Sequence, residues 1–94
     1  MTSVKHVDGK DVGHIFLYAL STCVWCKLTK KFLNELGVAY DYVDVDRLDG
    51  DEKETVMEEF DHWNPSHSFP TLVINNLQTI LGYDEKKIRE VVGK

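Results

Sequence analysis

Cys23-Val24-Trp25-Cys26 is the stretch of this sequence whose residue types and spacing offer covalent chemistry. Two intervening residues let the cysteine side chains meet across one helical turn, close enough for a disulfide. If Cys23 opens a helix, unpaired backbone N–H groups and the helix dipole favour negative charge on its sulfur. Positions of this kind bring a thiol from about 8.5 down to about 3.5–7.5, into the range where the reactive thiolate is populated. Cys23 is then the expected exposed nucleophile, and Cys26, one turn in, the resolving thiol that breaks the mixed disulfide. Lys27 has the wrong sign for the dipole but the right one opposite a thiolate. Lys30 and Lys31 extend a positive collar, and Ser21 and Thr22 offer hydroxyls ahead of the pair.

The same spacing also suits buried packing cysteines or half of a metal site. A structural zinc would need two further ligands from His6, His14, His62 and His67. Thirty-five residues separate Cys26 from His62, which is not finger-like spacing, so His62 and His67 read as surface loop residues.

The elements that must position the pair follow from periodicity. Residues 14–20 form a continuous apolar run rich in β-formers, a strand covered on both faces. Over residues 24–36 the period changes: Leu28, Phe32 and Leu36 share a helical face with Leu33 beside them, and Gly37 suits a left-handed cap. Residues 40–45 read as a second strand, completing a βαβ unit with parallel strands. The cysteine pair therefore falls at a strand-to-helix junction, a context that favours redox chemistry over packing.

A second helix is expected over about residues 51–60, with acids at its start and a stripe of Val56, Met57 and Phe60. A polar loop over residues 62–69 follows, in which Pro65 reads as a turn. Residues 71–74 and 78–81 make a hairpin through Asn75-Asn76-Leu77. Asp84 caps a last helix carrying Ile88, Val91 and Val92 on one face. The order β-α-β-α-β-β-α predicts an α/β fold, a four-stranded mixed sheet flanked by three helices on both sides. Ser3 to Val7 adds a possible edge strand.

Composition agrees with one domain over residues 1–94, of which 1–13 form an N-terminal extension. Hydrophobic residues at 43% and charged residues at 29% argue against disorder. A net charge of −5 argues against a nucleic-acid partner. The longest apolar run is far shorter than a membrane span, and the charged first residues do not resemble a secretory leader. A cytoplasmic location is expected, where a structural disulfide is uncommon. Acids crowd residues 41–61, which predicts a molecule with lysines near the cysteines and acids remote from them.

Ser21-Thr22-Cys23-Val24-Trp25-Cys26-Lys27 at a strand end, Phe69-Pro70-Thr71 before a hairpin and Gly82-Tyr83-Asp84 before the last helix together resemble a glutaredoxin of the thioredoxin superfamily. The resemblance spans about residues 14–92. It implies a thioredoxin-like fold and thiol–disulfide oxidoreductase activity through Cys23 and Cys26 on protein disulfides or glutathione mixed disulfides. Pro70 is implied as a cis-proline facing the cysteines, with Phe69 extended beside Cys23 to pair with a bound peptide or thiol. Thr22, Trp25, Lys27, Gly82, Tyr83 and Asp84 complete the implied substrate-binding set.

The pattern departs from glutathione-using members. Val24-Trp25 replaces Pro-Tyr, Leu20 stands at the usual lysine position, and Gly82 precedes Tyr83 where a second glycine is common. These changes weaken the case for tight glutathione binding. A single glycine before an aromatic residue is similar to NrdH-type redoxins, which take electrons from thioredoxin reductase and commonly serve ribonucleotide reductase. Asp84-Glu85 is more acidic than in that group. The electron donor implied is glutathione or thioredoxin reductase. No tightly bound cofactor and a monomer are expected. The alternative is a [2Fe–2S] cluster held between two subunits through Cys23, since some glutaredoxins lacking the proline carry one.

Overall fold

A computed structural model describes residues 3–93; Met1, Thr2 and Lys94 lie outside the described residues. The βαβ unit forms as its pattern requires: β2 (Ile15–Ala19), α1 (Val24–Leu36) and β3 (Tyr40–Asp44), ahead of a 3-10 turn at Val45–Arg47. Helix α2 (Gly50–Trp63) is longer than expected at both ends. Strands β4 (Thr71–Ile74) and β5 (Gln78–Leu81) and helix α3 (Glu85–Val92) match the sequence pattern. The hairpin turn places Asn75 and Asn76 at φ 53 and 54, the left-handed region that Asn tolerates.

The sheet has five strands where four were expected, in the order β1-β3-β2-β4-β5. The additional strand is β1 (Lys5–Val7), the possible edge strand, which pairs antiparallel with β3 at Lys5↔Tyr42 and Val7↔Tyr40. Beyond it, Lys10 bridges Val38: its N–H donates to the Gly37 carbonyl at 2.8 Å and its own carbonyl accepts from Ala39 at 2.9 Å. Gly9 makes this approach possible. A Cβ there would lie 2.5–2.8 Å from backbone atoms of Gly37, Val38 and Ala39.

The central strand β2 runs parallel to β3 and antiparallel to β4. Its alternate side chains feed two cores. Ile15, Leu17 and Ala19 face α1 and α3, through Phe32, Leu33, Ile88 and Val92. Tyr18 joins Val43, Val73 and Phe60 of α2 on the other side. Burial pushes the Tyr18 and Tyr40 phenols up to about 12.

One helix face is rotated from the expected stripe. Leu28 and Leu36 are only half-buried, whereas Cys26, Thr29, Phe32 and Leu33 are buried. Thr29 is tolerated inside because its hydroxyl donates to the Trp25 carbonyl at 2.8 Å.

Candidate active site

Strand β2 ends at Ala19, and after four residues the chain starts α1 at Val24. Cys23 is the N-cap residue, with extended backbone (φ −82, ψ 119). Its sulfur accepts the N–H of Cys26 at 3.2 Å, the bond a capping side chain makes to the third residue of a helix. Cys26 is fully buried and Cys23 half-buried, and both thiols are reduced. The Cys26 thiol is pushed up to about 12, first by burial, then by its hydrogen bond to Cys23 and the proximity of that sulfur. One thiol is thus accessible at the surface, and its neighbour is held protonated one turn behind.

The other motif residues converge here. The Phe69–Pro70 peptide bond is cis. Phe69, Pro70, Trp25, Gly82 and Tyr83 line one groove of about 280 Å³. Trp25 stacks on Tyr83 with ring centroids 6.0 Å apart, and Tyr83 meets Phe32 edge-on. Trp25 is 58% exposed, so its ring forms part of the outer wall. Phe69 stacks on Phe60 at 4.8 Å, anchoring its ring in the core. Gly82, at φ 79, donates its N–H to the Pro70 carbonyl at 2.8 Å and ties the two motifs together. Asp84 caps α3 by accepting from the Lys87 N–H. Thr22 and Lys27 are exposed beside Cys23, outside the groove lining.

The positive collar is weaker than the sequence suggested. Lys30 is committed to Asp44, at 2.9 Å, and lies 4.2 Å from the Tyr42 ring centroid. Nor are the acids all remote. Parallel pairing sets Ala19 opposite Asp44, so β3 delivers its terminal acids to the cysteine end of the sheet. There Asp46 accepts both the N–H of Ser21, at 2.8 Å, and its hydroxyl, which holds the carboxyl below the usual range. This tie fixes the chain two residues before Cys23.

Asn64 also went unnoticed in the sequence. It is buried and bonded to Ser66, Ser68 and Thr71 around the loop that carries Phe69 and Pro70. A larger groove, of about 620 Å³, lies at the opposite end of β2 and holds no cysteine. There His6 Nδ1 meets Asp41 at 2.6 Å, a bond that raises the imidazole pKa. His67 lies in the loop, where it stacks on Phe60 and pairs with Asp61, whereas His62, expected in the same loop, stands in the last turn of α2. Among the described residues no three His, Cys, Asp or Glu side chains are grouped to hold a metal. With Cys26 buried, each chain would offer a shared cluster one accessible sulfur, that of Cys23. Among the same residues no helix is long and apolar enough to cross a membrane.

Known proteins share this fold. The glutaredoxin family model matches residues 15–77. A glutaredoxin structure from Methanosarcina mazei is 54% identical, with a TM-score of 0.89 over 98% of this chain and 89% of that one. Methanoredoxin from Methanosarcina acetivorans is 50% identical, with a TM-score of 0.87 over 92% of this chain and 90% of that one. An uncharacterised glutaredoxin-like protein of a Clostridium pasteurianum rubredoxin operon is 32% identical over 85% of this chain and 99% of its own length. The thioredoxin-like sheet with its flanking helices is therefore a shared frame, and the chain belongs to the glutaredoxin family.

Proposed function

We propose that this chain is a thiol–disulfide oxidoreductase that reduces disulfides by dithiol exchange. The observation that carries the reading is the pairing of an accessible N-cap sulfur, Cys23, with a buried thiol that hydrogen-bonds to it. The Cys23 thiolate attacks one sulfur of the substrate disulfide, forms a mixed disulfide and expels the first substrate thiolate, which takes a proton from water. Cys26 then loses its proton and attacks Cys23. The Cys23–Cys26 disulfide forms, and the second substrate thiol leaves. The substrate gains two electrons and two protons, and an external thiol or reductase must return them.

Timing is built into the pair. Two causes that keep the proton on Cys26 are the hydrogen bond to Cys23 and the nearby charge of that sulfur. The charge is lost and the hydrogen bond weakened once Cys23 is bound to substrate, so the resolving thiol becomes easier to ionise when it is needed.

Substrate choice follows the rim. Val24 and Trp25, between the two cysteines in sequence, are exposed by 65% and 58% and present apolar surface beside them. Leu20 supplies no cation for a glutathione carboxylate. The site therefore suits protein or peptide disulfides better than glutathione itself. The chain works as a monomer in the reducing cytoplasm, with thioredoxin reductase or glutathione as electron source and ribonucleotide reductase among the acceptors to be tried.

Cys23→Ser is expected to abolish disulfide reduction, by about 10³-fold or more, because the remaining thiol, Cys26, is buried. Cys26→Ser should leave the first attack intact and accumulate mixed disulfides visible by mass spectrometry. Disulfide reduction that survives in Cys23→Ser overturns the reading. Turnover with NADPH and thioredoxin reductase, set against turnover with glutathione and its reductase, identifies the donor.

A further inference from the structure

Phe69 and Pro70 are held from both sides by a polar clamp that lines none of the groove. Asn64 is 2% exposed, yet every polar atom of its side chain is engaged. Its amide donates to the Ser68 hydroxyl at 2.9 Å, the Ser68 carbonyl at 3.2 Å and the Thr71 hydroxyl at 3.0 Å. Its carbonyl accepts from the Ser66 N–H at 3.2 Å and the Ser66 hydroxyl at 2.6 Å. Thr71, fully buried, closes the ring by donating to the Ser68 carbonyl at 2.9 Å.

Ser68 immediately precedes Phe69, and Thr71 immediately follows Pro70. The amide of Asn64 therefore grips both ends of the dipeptide that forms one wall of the groove. Thr71 is also locked into the sheet opposite Tyr18 and Leu81, which gives the clamp a rigid base. Burying a polar hub is unfavourable unless every donor and acceptor is matched, and a loop that merely had to be covered would be served by an apolar side chain. What the hub adds is a fixed position for the dipeptide.

We infer that Asn64 and Thr71 are positioning residues that set the affinity of the groove for the substrate disulfide without taking part in the sulfur chemistry. The inference rests on the oxidoreductase reading above. It separates binding from reaction: the clamp governs the wall, whereas the reactivity of Cys23 is set by α1.

The test uses the pre-reduced full chain in single turnover with excess of a synthetic peptide closed by an internal disulfide. Half-saturating concentration and limiting rate are read from release of peptide thiols. Alkylation of Cys23 by iodoacetamide, which needs no groove, is the control. Thr71→Val keeps the shape and removes the hydroxyl; Asn64→Asp keeps the acceptor for Ser66 and removes both donors. Each is expected to raise the half-saturating concentration about tenfold, with limiting rate and alkylation within about twofold of the parent. Thr71→Ser, which restores the hydroxyl, should behave as the parent.

If Asn64→Asp does not fold, Thr71→Val and Thr71→Ser decide. Folded Thr71→Val with the parent's half-saturation overturns the inference. So does a parallel loss of limiting rate and alkylation, which would signal general loosening. A parent chain that leaves the peptide oxidised overturns the oxidoreductase reading and this inference with it; an active parent with unaltered variants overturns the inference alone.

Discussion

Helices α1 and α3 begin with the same geometry and different atoms. At α1 the Cys23 sulfur accepts the N–H of Cys26 at 3.2 Å; at α3 an Asp84 oxygen accepts the N–H of Lys87 at 3.1 Å. Helix α3 adds Glu85 to its first turn, whereas α1 has no acid there and carries Lys27 instead. A carboxylate cap with an acidic neighbour is the stabilising solution to unpaired N–H groups at a positive helix end. The sulfur cap gives up part of that stability. In exchange it leaves a polarisable nucleophile at the surface with a second thiol against it. The difference teaches that capping becomes chemistry through the identity of the capping atom and of the residue one turn in.

The most severe way to break the contrast is Cys23→Asp, which makes α1 start as α3 does. Disulfide exchange should vanish, while urea unfolding of the variant should show stability equal to the parent's or higher by about 0.5–1 kcal/mol.

Alkali sharpens the contrast from the other side, because only α1 has a buried acid one turn in. In the folded, reduced chain the Cys26 thiol is pushed up from an ordinary 9.0 to about 12. Between those values the folded state binds more protons than the unfolded state, so stability falls as pH rises. The slope approaches about 1.4 kcal/mol per pH unit for one such group. Tyr18 and Tyr40, raised to about 12 from 10.0, add the same sign beginning about one unit higher. Urea midpoints from pH 8 to 11 should therefore fall less steeply above about pH 9 for Cys26→Ala than for the reduced parent.

Asp84→Ala removes the carboxylate cap and should lower stability by about 1 kcal/mol, read as a reduced urea midpoint. The smallest effect concerns Tyr83, whose phenol donates to Glu85 and is raised chiefly by that bond. In Glu85→Gln that phenol should titrate nearer the ordinary tyrosine value, as followed by its ultraviolet absorbance.

Features of the fold were legible where local chemistry and periodicity agreed. Helix α1 shows both its ends: a cysteine pair at one, and at the other Gly37, found at φ 71 as a left-handed cap. The Asn75-Asn76 turn and the Asp84 cap were readable for the same reason. Strand β1 was faint because Lys5 and His6 are exposed and only Val7 is half-buried; its pairing with β3 is a long-range matter of backbone hydrogen bonds. Lys30 looked like part of a collar because its partner Asp44 lies fourteen positions away, across the βαβ crossover. Asn64 was the hardest to see. A polar residue beside a proline reads as exposed loop, and nothing local reveals that Ser66, Ser68 and Thr71 fold back to satisfy it.

The segment before β2 has a consequence for how copies of this chain can meet. With β1 and the Lys10 bridge laid along β3, the outward backbone groups of β3 are paired by the chain itself, and the margin of the sheet becomes β1, three residues with exposed Lys5 and His6. Strand β5 is the other margin, flanked in order only by β4. Edge-to-edge growth into a fibre needs two adhesive sides on every molecule, and a three-residue edge that carries an exposed lysine is a poor one. A few polar residues ahead of β2 thus exchange a five-residue edge for a shorter, charged one, and Gly9, whose missing Cβ lets the strap lie flat, permits that exchange.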